Sequence, residues 1–156
     1  MAVVDLLELP AALGRGETLA GLDLGTRTIG VAVSDPSLAV SSPLALIRRT
    51  RFTADAEALL SLFESRHVGG LVIGLPINMD GSEGPRAQST RAFARNLSQL
   101  TELPIALWDE RLSTAAVERE LIGMDVSRAK RAEVIDEHAA IFILQGALDR
   151  LANLPT

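Results

Sequence analysis

Four acidic residues carry the chemistry this sequence could perform: Asp23, the adjacent Asp109 and Glu110, and Asp136. Asp23 interrupts the apolar run 19–24, where strand propensity disfavours an acid and burial without a partner is costly. It either hydrogen-bonds the amides of the adjoining turn, or it floors a metal or phosphate site. Asp109 and Glu110 follow Ile105-Ala106-Leu107-Trp108, a short apolar stretch that predicts a strand. They stand at its C-terminal end, where α/β sheets place their sites. Asp136 falls in a predicted last helix over 130–151. There it shares a face with Ala139, Ala140, Ile143 and Ala147, at offsets of three, four, seven and eleven. An acid on such a small, apolar packing face is unusual; a first-turn acid favoured by the helix dipole is the alternative.

Carboxylates gathered from separated segments suit hard divalent cations such as Mg²⁺ or Mn²⁺, which take oxygen ligands. A pair of such ions can clamp the attacking and leaving oxygens of a phosphodiester. Three acids near strand ends are common in α/β proteins, so the spacing alone does not single out this chemistry.

The elements that must position these acids follow from pattern. Runs 19–24 and 29–33 flank Gly25-Thr26-Arg27-Thr28 and predict a β-hairpin, with Gly25 and Gly30 placed to let the backbone turn. Segment 38–47, interrupted by Ser41-Ser42-Pro43, reads as a third antiparallel strand. The arginines 48, 49 and 51 after it form either a solvated loop or a phosphate-contacting rim. Thr53 is placed to cap a helix with the stripe Ala56, Leu59, Leu60 and Phe63. The continuous apolar run 68–75 predicts a strand covered on both faces. A long polar loop, 77–84, follows it, and Pro85 starts a helix with the stripe Phe93, Leu97 and Leu100. Arg91 and Arg95 fall on its solvated side. Ser113 caps a further helix to about residue 122, and 123–128 is irregular. An opening meander followed by strands separated by helices predicts an α/β fold. It is a mixed five-stranded sheet, three antiparallel strands then two parallel, with helices on both faces.

Composition sets bounds. The chain has 156 residues, 47% of them hydrophobic, which supports a single packed domain. We divide it into an N-terminal extension (1–18), whose Pro10, Gly14 and Gly16 break any long helix, a domain (19–151) and a tail (152–156). Cysteine is absent, so disulfides and Cys-based zinc sites are excluded, and the reducing cytoplasm is the expected compartment. No run reaches the length of a membrane span, and a start bearing Asp5 and Glu8 without a basic segment is not expected to act as a signal peptide. A net charge of −5 argues against a nucleic-acid coat protein, yet leaves room for an enzyme that grips nucleic acid locally.

Taken together, DLGTRTIGVA at 23–32, VIGLP at 72–76, DERLST at 109–114 and DEHAAIFILQ at 136–145 resemble the YqgF/RuvX family. The resemblance spans about 19–151. It implies an RNase H-like fold and metal-dependent cleavage of structured nucleic acid, either Holliday junction DNA or the 5′ end of pre-16S rRNA. It also implies Asp23, Glu110 and Asp136 as the catalytic acids holding Mg²⁺ or Mn²⁺, with Asp109 the competing ligand beside Glu110. Gly25, Thr26 and Arg27 of the hairpin turn and Asn78 of the long loop are assigned to the nucleic acid. Arg111 is either a phosphate contact or the ion-pair partner of a neighbouring acid. Arg128, Lys130 and Arg131 precede Asp136 and are candidates for gripping the strand. Symmetric cutting of a junction needs two active sites, so a homodimer is an open possibility. Two rival readings stand beside this one: a non-catalytic RNA-binding or scaffold module, and an ATP-binding lobe of the actin/Hsp70/sugar-kinase type, whose phosphate loop also carries Asp-x-Gly-Thr.

Overall fold

The computed structural model describes residues 3–112 and 128–153, the side chains of 128–137 excepted. In chain order the elements are β1 (Val3–Val4), α1 (Leu9–Ala12), β2 (Thr18–Leu24), β3 (Thr28–Ser34), β4 (Ser41–Arg48), α2 (Phe52–Ser65), β5 (Val68–Leu75), α3 (Pro85–Ser98), β6 (Ile105–Asp109) and α4 (Arg128–Ala152). One sheet takes the described strands in the order β1-β6-β5-β2-β3-β4. β2, β3 and β4 form the expected antiparallel meander, while β5, β6 and β1 run parallel to β2.

The sheet has six strands where the sequence predicts five. The extra one is β1, whose two residues pair with Ile105 and Ala106 at the far edge. Two residues carry no readable alternation, and only a contact a hundred positions away makes them a strand. The same N-terminal stretch delivers Leu9, fully buried, to the core beside α4.

Helices cover both faces because β2, β3 and β5 are apolar on both. On one face Leu22, Leu24, Ile29, Val31 and Ile73 meet Leu59 and Phe63 of α2 and Phe93 and Leu97 of α3. On the other, Leu19, Ala32, Val72 and Trp108 meet Ala139, Ala140, Ile143, Leu144 and Ala147 of α4. The helical face predicted around Ala139 and Ala140 is thus the one that packs. Small residues on the helix are matched by glycine on the sheet. A Cβ on Gly21 would lie 2.6 Å from Leu144 Cβ and 3.2 Å from the Ala140 carbonyl oxygen.

Several local expectations are corrected. α2 begins after Arg51 rather than Thr53, and Asp55 reaches back to accept the Thr50 amide at 3.0 Å. This carboxylate, buried in the first turn, ties the residue before the Arg51 N-cap back onto the helix. α3 stops at Ser98, which leaves Leu100 beyond the helix and 53% exposed. Arg91 lies on the solvated side of α3 as expected and forms a surface ion pair there with Glu83 at 2.6 Å. The hairpin closes with the Gly25 amide donating to the Thr28 carbonyl at 2.9 Å, and neither Gly25 nor Gly30 takes a positive φ. The predicted helix from Ser113 and the irregular stretch 123–127 lie outside the described residues, and α4 starts at Arg128, two positions before expectation.

Candidate active site

β2 alternates strictly, so Asp23 stands on the same face as Leu19 and Gly21, the face that α4 covers. Its side chain is 1% exposed. The antiparallel register sets Asp23 against Gly30 of β3. On its other side the parallel register pairs Leu22 with Ile73, so one step further along Asp23 runs beside Gly74 of β5. Both cross-strand neighbours of this acid therefore lack a side chain.

Glu110 reaches the same place from β6. It opens a 3-10 turn immediately after the strand and is 5% exposed. Gly74 pairs with Trp108, and a Cβ built on Gly74 would lie 3.3 Å from Glu110 Cγ and 2.4 Å from Ile143 Cδ1. Gly74 thus forms a gap between strands β2 and β6 that any larger residue would fill, with Asp23 on one side and Glu110 on the other.

The neighbouring acid goes elsewhere. Asp109 is bound by the Arg111 guanidinium, with Nη2 donating at 2.7 Å and Nε at 3.1 Å, and by the Arg111 amide at 2.9 Å. These bonds hold its carboxyl below the usual range, the Arg111 side chain contributing most. Of the two roles open to Arg111, this geometry is the ion pair. A further Arg111 donor, Nη1, touches the Asn78 carbonyl at 3.5 Å and ties the long loop to the end of β6. Within that loop Asn78 is exposed and donates from its side chain to Ser82 at 3.0 Å. Asp80 caps the Ser82 amide and hydroxyl, which lowers its own pKa.

Asp136 belongs to α4, eight positions past its start (136 minus 128), so it lies well beyond the first turn where the dipole acts. Its side chain, with those of Arg128, Lys130 and Arg131, lies outside the described residues. Among the described residues no three acidic or histidine side chains converge as a metal cage would require, and Asp23 and Glu110 lie on either side of Gly74. The donors at hand are carboxylate oxygens in a gap kept open by Gly74, which suits Mg²⁺ or Mn²⁺.

The hairpin tip leaves Thr26 and Arg27 exposed and Gly25 buried. Two arginines hold it. Arg49 Nη1 donates to the Gly25 carbonyl at 2.7 Å, and Arg86 Nη2 donates to the Leu24 carbonyl at 3.2 Å. Arg86 escaped the sequence reading. The available signal was a cation in the first turn of a helix, where the dipole opposes it.

The chain matches, over residues 17–150, the family described as "RuvX: Holliday junction resolvase". A curated relative from Bradyrhizobium sp. (strain BTAi1), named "Putative pre-16S rRNA nuclease", is 68% identical over 97% of this chain and 94% of its own length. Another of the same name, from Bradyrhizobium diazoefficiens, is 75% identical over 88% of this chain and 86% of its own. Among solved structures, Thermus thermophilus RuvC in complex with a Holliday junction substrate superposes with a TM-score of 0.54. That match covers 88% of this chain and 97% of the other, and at 11% identity it speaks to the fold alone. The fold is the RNase H-like one of the resolvases, and the chain belongs to the RuvX family of Holliday junction resolvases.

Proposed function

We propose that the protein is a metal-dependent nuclease that hydrolyses phosphodiester bonds in structured nucleic acid, either branched DNA or the 5′ region of a 16S rRNA precursor. The observation that carries this reading is the pair of buried carboxylates, Asp23 and Glu110, on either side of Gly74. Like charges held this close repel, and a cation between them would offset that repulsion.

Asp136 is the third member we assign. The Ala140 carbonyl packs at Gly21. Gln145 bonds the Ala39 carbonyl and the Ser41 amide at the opposite end of the sheet. α4 therefore runs away from the site, and its earlier residues approach it. Four residues back along a helix is about 6 Å, and two residues forward along a strand is about 6.6 Å. That match supports Asp136 opposite Asp23.

In this reading Asp23, Glu110 and Asp136 would hold the Mg²⁺ or Mn²⁺ ions of a two-metal mechanism. Bound ions supply Lewis-acid stabilisation of the charge that builds on the phosphate oxygens. The protein's own part is positional. The backbone of two central strands and a helix holds the carboxylates rigidly, and Asp109 keeps Arg111 and the 77–84 loop beside the cleft. Gly25, Thr26, Arg27 and Asn78 at the rim, with Arg128, Lys130 and Arg131 on the first turn of α4, are the assigned strand contacts. Cutting a four-way junction symmetrically would take a homodimer.

The test is cleavage by purified protein of a four-way DNA junction and a structured precursor RNA, with ATP turnover measured beside it. Cleavage is expected with Mg²⁺ or Mn²⁺ and none in EDTA. Full activity in EDTA would remove the metal from the mechanism, and ATP turnover without cleavage would favour a kinase-like lobe.

A further inference from the structure

Behind the hairpin tip, on the α2/α3 side of the sheet, lies a cavity of about 400 Å³ that the acid site does not use. Its walls are Gly25 and Thr26, Arg49 and Thr50 from the end of β4, and Arg86 and Thr90 from the first turns of α3. Hydroxyls and two guanidiniums make it predominantly polar. Each guanidinium spends one bond on the hairpin backbone, out of five N–H donors. Among the described residues no carboxylate pairs with either arginine. In a chain with a net charge of −5, two cations facing one cavity without an acid is a local exception.

Position reinforces the charge. β4 is parallel to β2, so its end, like that of β5, lies at the same edge of the sheet as the acids. α3 starts at Pro85 and opens towards this edge with unsatisfied amides, whereas α2 carries Asp55 in its own first turn. α3 has no acid in its first turn. Arg86 sits there against the dipole, an arrangement that an incoming anion reverses. Arg49 is braced from behind, its guanidinium 5.7 Å from the Phe93 ring centre. Thr26 is three residues past Asp23 on an extended chain, hence at most about 10 Å away.

We propose that this cavity is a phosphate subsite, in which Arg49 and Arg86 take a backbone phosphate of the substrate strand beside the bond being cut. The assignment rests on the nuclease reading for the source of the phosphate, since free inorganic phosphate has the same chemistry. The strand would cross the edge of the sheet with one phosphate at Asp23 and Glu110 and another here. Such a contact positions the substrate without reading its sequence.

Arg86→Gln is the decisive variant, because Arg86 is exposed and its loss relieves an unfavourable dipole contact. Arg49→Gln is the second, with melting temperature as its control for the lost Phe93 contact. Binding of uncleaved junction DNA and structured RNA is titrated in EDTA over a salt series, and inorganic phosphate binding is followed by ³¹P line broadening. The expected result for Arg86→Gln is affinity about tenfold lower on every sequence, and a salt slope shallower by about one. Its melting temperature should be unchanged or higher, and phosphate broadening lost. An unchanged slope with phosphate broadening retained would overturn the proposal and leave Arg86 as a tether for the hairpin. Broadening lost with the slope unchanged would make the cavity a free-phosphate site and overturn the strand assignment. Because binding is read without metal, the two readings fail separately. Substrate binding that depends on Arg86 without any cleavage in Mg²⁺ removes the nuclease, whereas cleavage with Arg86-independent binding removes the subsite.

Discussion

The two faces of β2 solve opposite problems with alternate residues of one strand. Leu22 and Leu24 point towards α2 and α3 into a layer that includes Phe63, Phe93 and Leu97. Gly21 and Asp23 point towards α4, into a layer where alanines such as Ala139 and Ala140 stand among Ile143, Leu144 and Trp108 and which also receives Glu110. The first face buries large apolar surface, which drives folding. The second gives up much of that area to let a helix backbone approach closely and to hold two carboxylates out of water. Stability and chemistry are therefore assigned to different faces of the same strands, and substitutions should separate them.

The sharpest break is expected at the acids. Like charges about 5 Å apart repel by roughly 3 kcal/mol at an effective dielectric of about 20. Asp23→Asn should eliminate cleavage while leaving the metal-free melting temperature equal or higher, and should shrink the stabilisation by added Mn²⁺. Asp136→Asn should match it in all three respects. A destabilised but active Asp136→Asn protein would remove that residue from the site.

Phe63→Ala tests the other face. Truncating a large, fully buried side chain should cost about 3–5 kcal/mol in denaturant unfolding, with cleavage per folded molecule unchanged. Gly74→Ala lies between the two extremes. The added methyl meets Ile143 and crowds Glu110, so stability should fall by about 1–3 kcal/mol, and cleavage should fall with it although no carboxylate is lost. If Gly74→Ala kept full activity, the gap between Asp23 and Glu110 would be packing only.

The smallest effects belong to the acids engaged at the surface. Asp109→Asn should lower the melting temperature slightly and preserve most cleavage, in contrast to Glu110→Gln, which should eliminate it. Asp35 is held down to about 2 by the Ser37 hydroxyl and by the Val40 and Ala39 amides. Asp109 is also lowered, through Arg111. A depressed carboxylate stabilises the fold above its unfolded pKa, near 3.9, and loses that contribution as pH falls through the folded value. Asp35→Asn should therefore be less stable than the parent at neutral pH, with the difference narrowing as pH falls below about 4 because only the parent has this contribution to lose.

Element types were legible because their signals are local. The short apolar runs 19–24 and 29–33 flanking a tight turn, the continuous run 68–75, and the 3.6-residue stripe through Ala139, Ile143 and Ala147 each lie within a few residues of chain. The oddity of Asp23 was legible for the same reason, since an acid in an apolar run stands out without any knowledge of its neighbours. β1 was illegible because a two-residue strand exists only through its partner at 105–106. Leu100 misled because it continues the apolar spacing past the point where the helix stops.

What the sequence by itself determined is strands β2 to β6 and helices α2 to α4, the mixed parallel and antiparallel sheet, and the three places where acids could gather. Choosing between Asp109 and Glu110 as the acid facing Asp23 was beyond it. At the end of a strand a 3-10 turn breaks the two-residue alternation, and the register of β6 on β5 decides which side chain crosses Gly74 and which turns to Arg111. The cavity behind the hairpin depended on tertiary structure even more fully. Arg49 and Arg86 are 37 positions apart (86 minus 49), and they face one space only because two helices and a strand end at the same edge of the sheet. Local pattern is set by which side chains neighbour each other along the chain. Register and layer packing are set by contacts between distant segments, and those alone turn a set of acids and arginines into two distinct sites.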